Sequence, residues 1–440
     1  MATLTRTSGR FAGSATGWLR RSLSLRTADS PTQLRLASAV TVLVGLALSL
    51  GGWYAVDRRD TAISDAASAA AQLIQVQDVR VQVVQADSLA STAYLVGGQE
   101  DADQRTAYDE RIGAAAAGLL VAAQGATTAD AVELETVNRQ LARYVGLVEQ
   151  ARANNRQGFP VGAAYQRQAR EVASALVESL RTVEQSTRQR VDDSIERAFR
   201  ASWLLVVTAL VSVVAIVLGS WWLAVRWRRL VNVPLAIAGV VALLVLTVGV
   251  GVNGRAVSLA GDAVRSELSA ADLVAQARAA GFDARSSEAL TLINRGNGAA
   301  YERAWQLSAS VVESALVQAC GDHGVGCAAL DDHFVYAESH RVVRDLDDAG
   351  DWDAAVALAT EGVEGFEGVE GEAGSNPPAD FARFDQSSGL DVAEQSQAAA
   401  RSFDLADDAL GGLRVLIVLA GLLVAVLGAV GYGQRLREYR

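Results

Sequence analysis

Two cysteines, Cys320 and Cys327, are the only ones in the chain, and they stand in the stretch CGDHGVGC. An isolated close pair outside the cytoplasm usually forms a disulfide, and the three glycines between them allow the bend that a bridge requires. We therefore expect a disulfide that pins a turn between two helices. A metal site that uses His323 and a pair of free thiols are the alternatives, but zinc needs further cysteine or histidine ligands at defined spacings.

The chain has three histidines and no lysine. His333 and His340 are seven positions apart and would share one helix face, so a pH-responsive pair is conceivable, although solvated or capping histidines are more common. The sequence contains no phosphate-binding glycine loop, no nucleophile elbow and no metalloprotease motif. We predict no catalytic residue, no cofactor and no metal.

Three arginines, Arg226, Arg228 and Arg229, fall within four positions between two apolar runs. Rigid arginine forks bind carboxylates well, which suggests a contact with an acidic partner protein. The alternative is that these arginines only anchor the neighbouring runs to anionic lipid. Both interpretations require the connection to lie at a membrane surface.

Four uncharged apolar runs occupy residues 36–56, 201–225, 231–252 and 415–432. Each approaches or exceeds the roughly 20 residues that cross a hydrocarbon core of about 30 Å, and aromatic residues cluster near their ends. Buried core helices, and a cleaved signal peptide for the first run, are the alternatives. We predict an all-α membrane protein with four transmembrane helices and no ionisable group of the kind that transporters use inside a span.

Arginine counts predict the orientation. Residues 1–35, the elbow 226–230 and the tail 433–440 carry net charges of +5, +3 and +2, whereas residues 61–200 and 253–411 carry −4 and −18. The positive-inside rule places the first three in the cytoplasm. The protein is then a multi-pass plasma-membrane protein with both termini cytoplasmic and two outer segments, segment 1 (residues 57–200) and segment 2 (residues 253–414).

This distribution excludes several functional classes. The cytoplasmic parts are too short to bury the core of a catalytic domain, which needs on the order of 100 residues. A sequence pI near 5.0 disfavours nucleic-acid binding. Residues 359–380, rich in glycine and glutamate, lack the spacing of a calcium-binding loop and suggest a solvated acidic loop.

The two outer segments have the patterns of helical bundles. In segment 1, Leu134, Val137, Leu141, Tyr144 and Val148 repeat at steps of three and four, which is typical of a packed helix face. Breaks at Gly97-Gly98, near Gly125 and at residues 156–162 predict four helices. Segment 2 echoes segment 1, because DSLASTAYLVGG (residues 87–98) aligns with DARSSEALTLINRG (residues 283–296). We predict a tandem repeat of span, bundle and span.

The chain resembles two kinds of known protein. ADSLASTAYLVGGQED (residues 86–101) resembles the membrane-distal turn of chemoreceptor four-helix sensing domains. The elbow VRWRRLVNVPLAIAGVVALL (residues 225–244) and ALTLINRGNGAAYERAW (residues 289–305) are similar to a family of actinobacterial four-span proteins. Members of that family couple a glutamine- or glutamate-binding lipoprotein outside the cell to protein kinase G inside it.

The resemblance implies a non-catalytic sensor or adaptor. Its expected partners are a solute-binding lipoprotein outside, a serine/threonine kinase inside and membrane lipid, with no nucleic acid. Monomer and oligomer both stay open as assembly states. An envelope scaffold and a receptor that binds a small molecule directly between its helices are the alternatives. Under the sensor interpretation, Arg226, Arg228 and Arg229 are the candidate contact with the kinase.

Overall fold

The computed structural model describes residues 30–96, 102–227, 232–362, 375–408 and 412–437. Within these ranges the chain is helical and contains no strand, so the predicted all-α fold class is confirmed. In chain order the helices are α1 (Ser30–Val96), α2 (Ala102–Gln124), α3 (Thr128–Arg156), α4 (Val161–Trp227), α5 (Val233–Asp262), α6 (Ser269–Ile293), α7 (Ala299–His323), α8 (Cys327–Asp348), α9 (Trp352–Glu361), α10 (Pro377–Asp408) and α11 (Leu413–Arg437). A π-helical stretch, Ala263–Leu268, joins α5 to α6 without a break.

Four helical stretches are long and apolar enough to cross a membrane: Pro31–Val96, Val161–Val225, Val233–Ile293 and Pro377–Arg437. Three of them contain a predicted apolar run, the third contains residues 233–252 of the run 231–252, and the protein is a multi-pass membrane protein. α1 and α4, of 67 residues each, continue from an apolar run into segment 1 without interruption. The exact domain boundaries and the orientation stay predictions.

The helical residues form two compact units. The span unit contains the described residues between positions 1 and 60, 198 and 255, and 409 and 440. In this unit α1 and α11 approach closely at small residues: a Cβ on Gly421 would collide with Ser49, and one on Gly428 would collide with Thr41. The Ser49 hydroxyl donates to the backbone carbonyl of Val418 at 3.0 Å. Packing of small residues is the usual basis of helix association in lipid.

A polar belt, formed by Asp57, Arg59, Asp60, Asn253 and Arg414, lies in the span unit beside the ends of the predicted spans. The Arg59 side chain is fully buried and donates to Asn253 and Asp60. Arg414 pairs with Asp57 at 3.0 Å and Asp60 at 2.7 Å. The belt therefore joins α1 to α11 by paired charges and α1 to α5 by the hydrogen bond from Arg59 to Asn253.

The second compact unit, the segment unit, contains the described residues of 61–197 and 256–408. Its first half has the predicted packed face, because Leu134, Val137, Leu141, Tyr144 and Val148 are all buried in one core. Helices end near Gly125 and between residues 156 and 161, as predicted. The predicted break at Gly97-Gly98 and residues 363–374 of the acidic loop lie outside the described residues.

Helix α1 is buried on two faces within this unit. Val76, Val79 and Val83 pack in the core of segment 1, whereas Val81 and Val84 pack in a core built mainly from segment 2. Val81 and Val84, three positions apart on α1, thus mark its contact with the other repeat. Both segments therefore bury residues of α1, and they fold together as one unit.

Candidate functional site

Helix α1 of segment 1 and helix α6 of segment 2 pair at a constant offset. Gln77 donates to Asp272 at 2.5 Å, and the hydroxyls of Ser91 and Ser286 lie 3.1 Å apart. Both pairs are separated by 195 positions in sequence, whereas the repeat alignment pairs Asp87 with Asp283, 196 positions apart (283 minus 87). The two helices are therefore parallel, and equivalent parts of the two repeats lie side by side.

Helix α4 runs antiparallel to α6 and contacts it along the same stretch. Its Arg167 donates to Asn294 at 3.1 Å, Arg170 pairs with Asp283, and Arg188 pairs with Asp272. The acceptors on α6 are eleven positions apart, which is about three helical turns and keeps them on one face. We call these polar contacts of α6 with α1 and α4 the seam.

At the centre of the seam, Arg170 binds an aspartate from each repeat. Its Nη1 donates to Asp87 Oδ2 at 2.7 Å and its Nη2 to Asp283 Oδ1 at 2.5 Å. Burial disfavours the charged guanidinium, but the two carboxylates outweigh that effect and raise the pKa of Arg170 above its ordinary value. Arg170 is therefore a permanent cation shared by the two repeats.

Hydrogen bonds from hydroxyl and amide groups extend the centre of the seam. Ser286 donates to Asp87 Oδ2 at 2.7 Å, and Gln166 donates to Ser91 at 3.1 Å. All four side chains are almost fully buried. Among the described residues, however, the second oxygen of Asp87, Oδ1, has no hydrogen-bond partner. A buried carboxylate oxygen without a donor is costly.

A cavity of about 210 Å³ opens beside Arg170, and Asp87 lines it. Its polar lining is Arg80, Asp87, Arg170, Ser174, Arg181, Asp283 and Ser308, and its apolar lining is Val84, Ala173, Val177, Ala279, Ala280, Leu307 and Val311. Ser308 donates to Asp283 at 3.1 Å. Residues of α1, α4, α6 and α7 thus line the cavity, which is open to solvent, and both repeats contribute to it.

A second polar cluster lies within segment 2. The His340 ring stacks on Trp305 with centroids 3.7 Å apart, its Nδ1 lies 2.5 Å from Glu288 and its Nε2 lies 3.3 Å from Glu302. Arg344 also pairs with Glu302, at 3.4 Å. Burial would lower the pKa of His340, but the hydrogen bonds and charges of the two glutamates raise it above its ordinary value.

His333 lies two turns before His340 on α8 and has a different environment. Its ring is 2% exposed and packs near Phe384, with centroids 5.8 Å apart. Burial lowers the pKa of His333 to about 4. The two histidines do share α8 and are both buried, so the common expectation of solvated histidines is wrong here.

The residues predicted from the sequence as sites lie elsewhere. Cys320, in the last turn of α7, and Cys327, the first residue of α8, form a disulfide with their Cα atoms 5.0 Å apart. Arg228 and Arg229 lie outside the described residues, as does the side chain of Arg226. No group of three or more histidine, cysteine or acidic side chains suited to a metal occurs in the described part of the chain.

Sequence reasoning paired Asp87 with Asp283 but missed Arg170, which binds both. A usable signal was present along α6 and at its C-terminal end, where Asp272, Asp283 and Asn294 recur every eleven residues. Buried polar residues with a helical period indicate that a second polar helix packs against them. Arg170 satisfies that condition on α4.

The first repeat also has a known sequence pattern. Residues 62–196 match the family model of the actinobacterial sensor domain. The matched region contains Asp87, Ser91 and Arg170, whereas Asp283 and Ser286 lie beyond it. Comparison with curated proteins and with solved structures found no match. The sensor-domain match supports a sensor role for this helical multi-pass membrane protein.

Proposed function

We propose that the protein is a non-catalytic transmembrane sensor whose segment unit detects a condition outside the cytoplasm and reports it inside. The observation that carries this proposal is the Arg170 bridge, because one buried cation holds equivalent aspartates of two parallel repeats. A bridge of this kind favours one arrangement of the repeats over others. A ligand or partner that prefers another arrangement shifts the equilibrium by its difference in affinity, typically 1–3 kcal/mol.

The proposed route of the signal follows the continuous helices. Arg170 lies on α4, which extends without interruption to Trp227, and Asp87 lies on α1, which begins at Ser30. The orientation that we propose puts the segment unit outside the plasma membrane and both termini in the cytoplasm, as the arginine distribution predicts. A change at the seam then reaches the cytoplasmic face along the same helices.

The sequence resemblance supports specific partners. We propose that a solute-binding lipoprotein reports glutamine or glutamate availability to the segment unit, and that a cytoplasmic serine/threonine kinase receives the signal. Direct binding of a small molecule by the segment unit is a second candidate, and the cavity beside Arg170 favours it. Both mechanisms use the same seam to transmit the signal.

The test compares Arg170→Gln with Arg139→Gln. Arg139 is a matched control because its ion pair with Glu135 is highly exposed and lies within one helix. With each variant at normal abundance in the membrane, phosphorylation of the kinase substrate is measured before and after glutamine or glutamate is supplied. We expect Arg139→Gln to respond like the wild type and Arg170→Gln to give the same signal with and without the amino acid.

Two results would contradict the proposal. A normal response in cells that lack the protein would leave it as an envelope scaffold that takes no part in signalling. A normal response with Arg170→Gln, at unchanged abundance, would show that the seam does not carry the signal.

A further inference from the structure

A histidine in segment 2 lies between two carboxylates that belong to different helices. His340 of α8 has Glu288 of α6 at 2.5 Å from its Nδ1 and Glu302 of α7 at 3.3 Å from its Nε2. The ring is almost fully buried and stacks on Trp305 of α7. An ionised carboxylate only accepts, so both contacts are hydrogen bonds only when both ring nitrogens carry a proton. The geometry therefore fits the imidazolium form of His340.

Loss of one proton from this imidazolium breaks one of its two contacts. Glu288 is almost fully buried, whereas Glu302 is 22% exposed and also has Arg344 at 3.4 Å. A buried carboxylate without a donor costs more than a partly solvated one, so the neutral ring keeps its proton on Nδ1. Its Nε2 then becomes an acceptor that faces the carboxylate of Glu302. Because two acceptors repel each other, α7 loses its hydrogen bond to His340 while α6 keeps its own.

The other ionisable groups near His340 on its own helix are paired or neutral. Arg344, one turn after it, pairs in addition with Asp347 and Asp348. Tyr336, one turn before it, is fully buried, and burial raises the pKa of its phenol well above the ordinary value. These groups therefore keep their charge states while His340 titrates.

The neighbouring helices add partnered charges and apolar side chains. Arg285 of α6 lies over the ring of Phe381 on α10, at 4.7 Å from its centroid. Asp380 of α10 pairs with Arg383 at 2.6 Å. The adjoining core receives apolar side chains from α1 and α9: Leu95, Ala355 and Leu358. Burial lowers the pKa of His340, but the two glutamates raise it above its ordinary value, so the second proton stays above pH 6.5 and leaves at more alkaline pH.

This histidine contact and the seam share two helices. On α6, Glu288 lies five positions after Asp283, which belongs to the seam. On α7, Ser308 lies six positions after Glu302 and donates to Asp283 at 3.1 Å. Asp283 thus has donors on both α4 and α7. A release of α7 at Glu302 therefore reaches the seam through Ser308.

From these contacts we propose that a proton bound to His340 regulates the sensor, because the imidazolium ties α8 to both α6 and α7 and its deprotonation at alkaline external pH releases α7. The proton passes to water or buffer, and no covalent bond between heavy atoms changes. The inference rests on the proposed sensor function and its orientation, and it adds a regulator that acts on the same seam. Acidification of the outside restores the link.

The ring signals of the histidines test the proton-binding step. The full-length protein is purified in detergent micelles without a histidine tag, with 13C and 15N in histidine only, so that three rings give signals. Three variants assign the signals by their loss: His340→Gln, His333→Phe and His323→Gln. At pH 6.5 we expect more than half of the His340 rings to carry protons on both nitrogens. A midpoint below pH 6.5 overturns the proposal.

A change of one carboxylate tests the role of α7. Glu302→Gln removes the second charge and supplies an amide that can donate to neutral Nε2. We expect the midpoint of His340 to fall and the contact with α7 to survive at alkaline pH. Glu338→Gln makes the same change at a position of α8 that is 57% exposed, and this matched control should titrate like the wild type. Equal midpoints for Glu302→Gln and the wild type overturn the proposal.

Hydrogen exchange tests the release of α7. Protection factors, which correct for the intrinsic effect of pH on exchange, are measured by mass spectrometry at about pH 6 and about pH 8.5. For residues 299–308 we expect at least tenfold lower protection at the higher pH in the wild type and in Glu338→Gln, but equal protection in Glu302→Gln. Helix α3, in the core of segment 1, is the internal reference. Unchanged protection of α7 in the wild type overturns the proposal.

The regulatory role is tested in cells at the same two external pH values. We expect the response of substrate phosphorylation to the amino acid to differ at least twofold between them in the wild type and in Glu338→Gln. In Glu302→Gln the response should be the same at both. A wild-type response that ignores external pH overturns the regulation. The titration and the exchange need no kinase, so their failure and a failure of the Arg170→Gln signalling test are distinguishable.

Discussion

Arg170 holds two carboxylates, one from each repeat, although its side chain is only 15% exposed. Replacing both charges of a buried pair by apolar groups is often harmless, but removing one partner leaves the other charge buried without compensation. Arg170 pairs with two carboxylates, so one substitution leaves both Asp87 and Asp283 without their ion-pair partner. The stability of the segment unit therefore depends on Arg170 more than on its many surface arginines.

We expect Arg170→Gln to lower the free energy of unfolding of the segment unit by about 3–5 kcal/mol, the range for breaking a buried ion pair. Arg139→Gln breaks a pair whose partners are 61% and 71% exposed, and it should cost less than about 1 kcal/mol. Urea unfolding of the purified protein, followed by circular dichroism, measures both values. Equal values for the two variants would show that the seam contributes no particular stability.

His333 and His340 should give opposite pH dependences. The pKa of His340 is raised in the folded protein by Glu288 and Glu302, so its stabilisation is complete below pH 6.5 and is lost as the pH rises through the folded-state pKa. The pKa of His333 is lowered to about 4 by burial. Between pH 6.5 and 4 the unfolded chain therefore takes up a proton that the folded chain does not, and stability falls on acidification.

The measurement is urea unfolding at several pH values for His340→Gln and His333→Phe. We expect His340→Gln to remove part of the loss of stability above pH 6.5, and His333→Phe to remove a loss of roughly 3 kcal/mol between pH 6.5 and 4, at about 1.4 kcal/mol per unit of pKa. Each variant is the control for the other, because each should change only one side of the profile. If the stability of both variants depends on pH in the same way as that of the wild type, the assignment of these pH dependences to His340 and His333 is wrong.

At the residue scale, the sequence predicted neighbours in the chain better than partners in space. The pairing of Cys320 with Cys327 and the equivalence of Asp87 and Asp283 rest on local patterns. Arg170 is 83 and 113 positions from the aspartates that it binds. No local pattern encodes a contact at that separation, because it depends on how α4 crosses the paired helices.

Among the elements, the turn between α7 and α8 shows how a short loop is fixed. Gly324 and Gly326 have positive φ values of 69° and 82°, which residues with a Cβ rarely adopt. The disulfide between Cys320 and Cys327 closes this turn. The two helices are thus held at their shared end by backbone geometry and by a covalent bond.

We expect neither cysteine to react with an alkylating reagent until a reductant is added. Because the closed loop is short, replacing both cysteines by serine should lower the free energy of unfolding by about 2 kcal/mol, the lower part of the usual range. Mass spectrometry of alkylated protein tests the first statement and urea unfolding the second. Ready labelling of both thiols without reductant would rule out the bridge.

The faces of the long helices were only partly predictable. Periodicity identified the buried face of α3 correctly, since all five of its predicted residues lie in one core. On α1 the same kind of pattern marks two buried faces, one for each repeat. A 3–4 rhythm reports that a face is buried, but it does not report which element covers the face.

For the whole molecule, the arginine distribution makes a topological prediction. A reporter that is active only in the cytoplasm should be active when fused after Arg440 and when inserted at Arg228. A reporter that is active only outside the cytoplasm should be inactive at both positions. The reason is the positive-inside rule applied to net charges of +2 and +3. Activity of the external reporter at either position would contradict the proposed orientation.

Replacing Arg226, Arg228 and Arg229 together by glutamine separates the two interpretations of the elbow. Insertion should survive, because the arginines of residues 1–35 and 433–440 still mark the cytoplasmic side. If the elbow contacts the kinase, the response of substrate phosphorylation to the external amino acid should fall at normal protein abundance. An unchanged response would leave these arginines as lipid anchors, worth about 1 kcal/mol each.

The constant offset between α1 and α6 has a consequence for the ancestry of the chain. Two identical two-span proteins that paired side by side would be related by a two-fold axis. Duplication of their gene, followed by fusion at the elbow, turns that pair into one polypeptide with parallel repeats in register. The two halves of such a chain can diverge, because a mutation in one half does not appear in the other. In a chain of that origin, Arg170 is a side chain of one half that binds the aspartates of both.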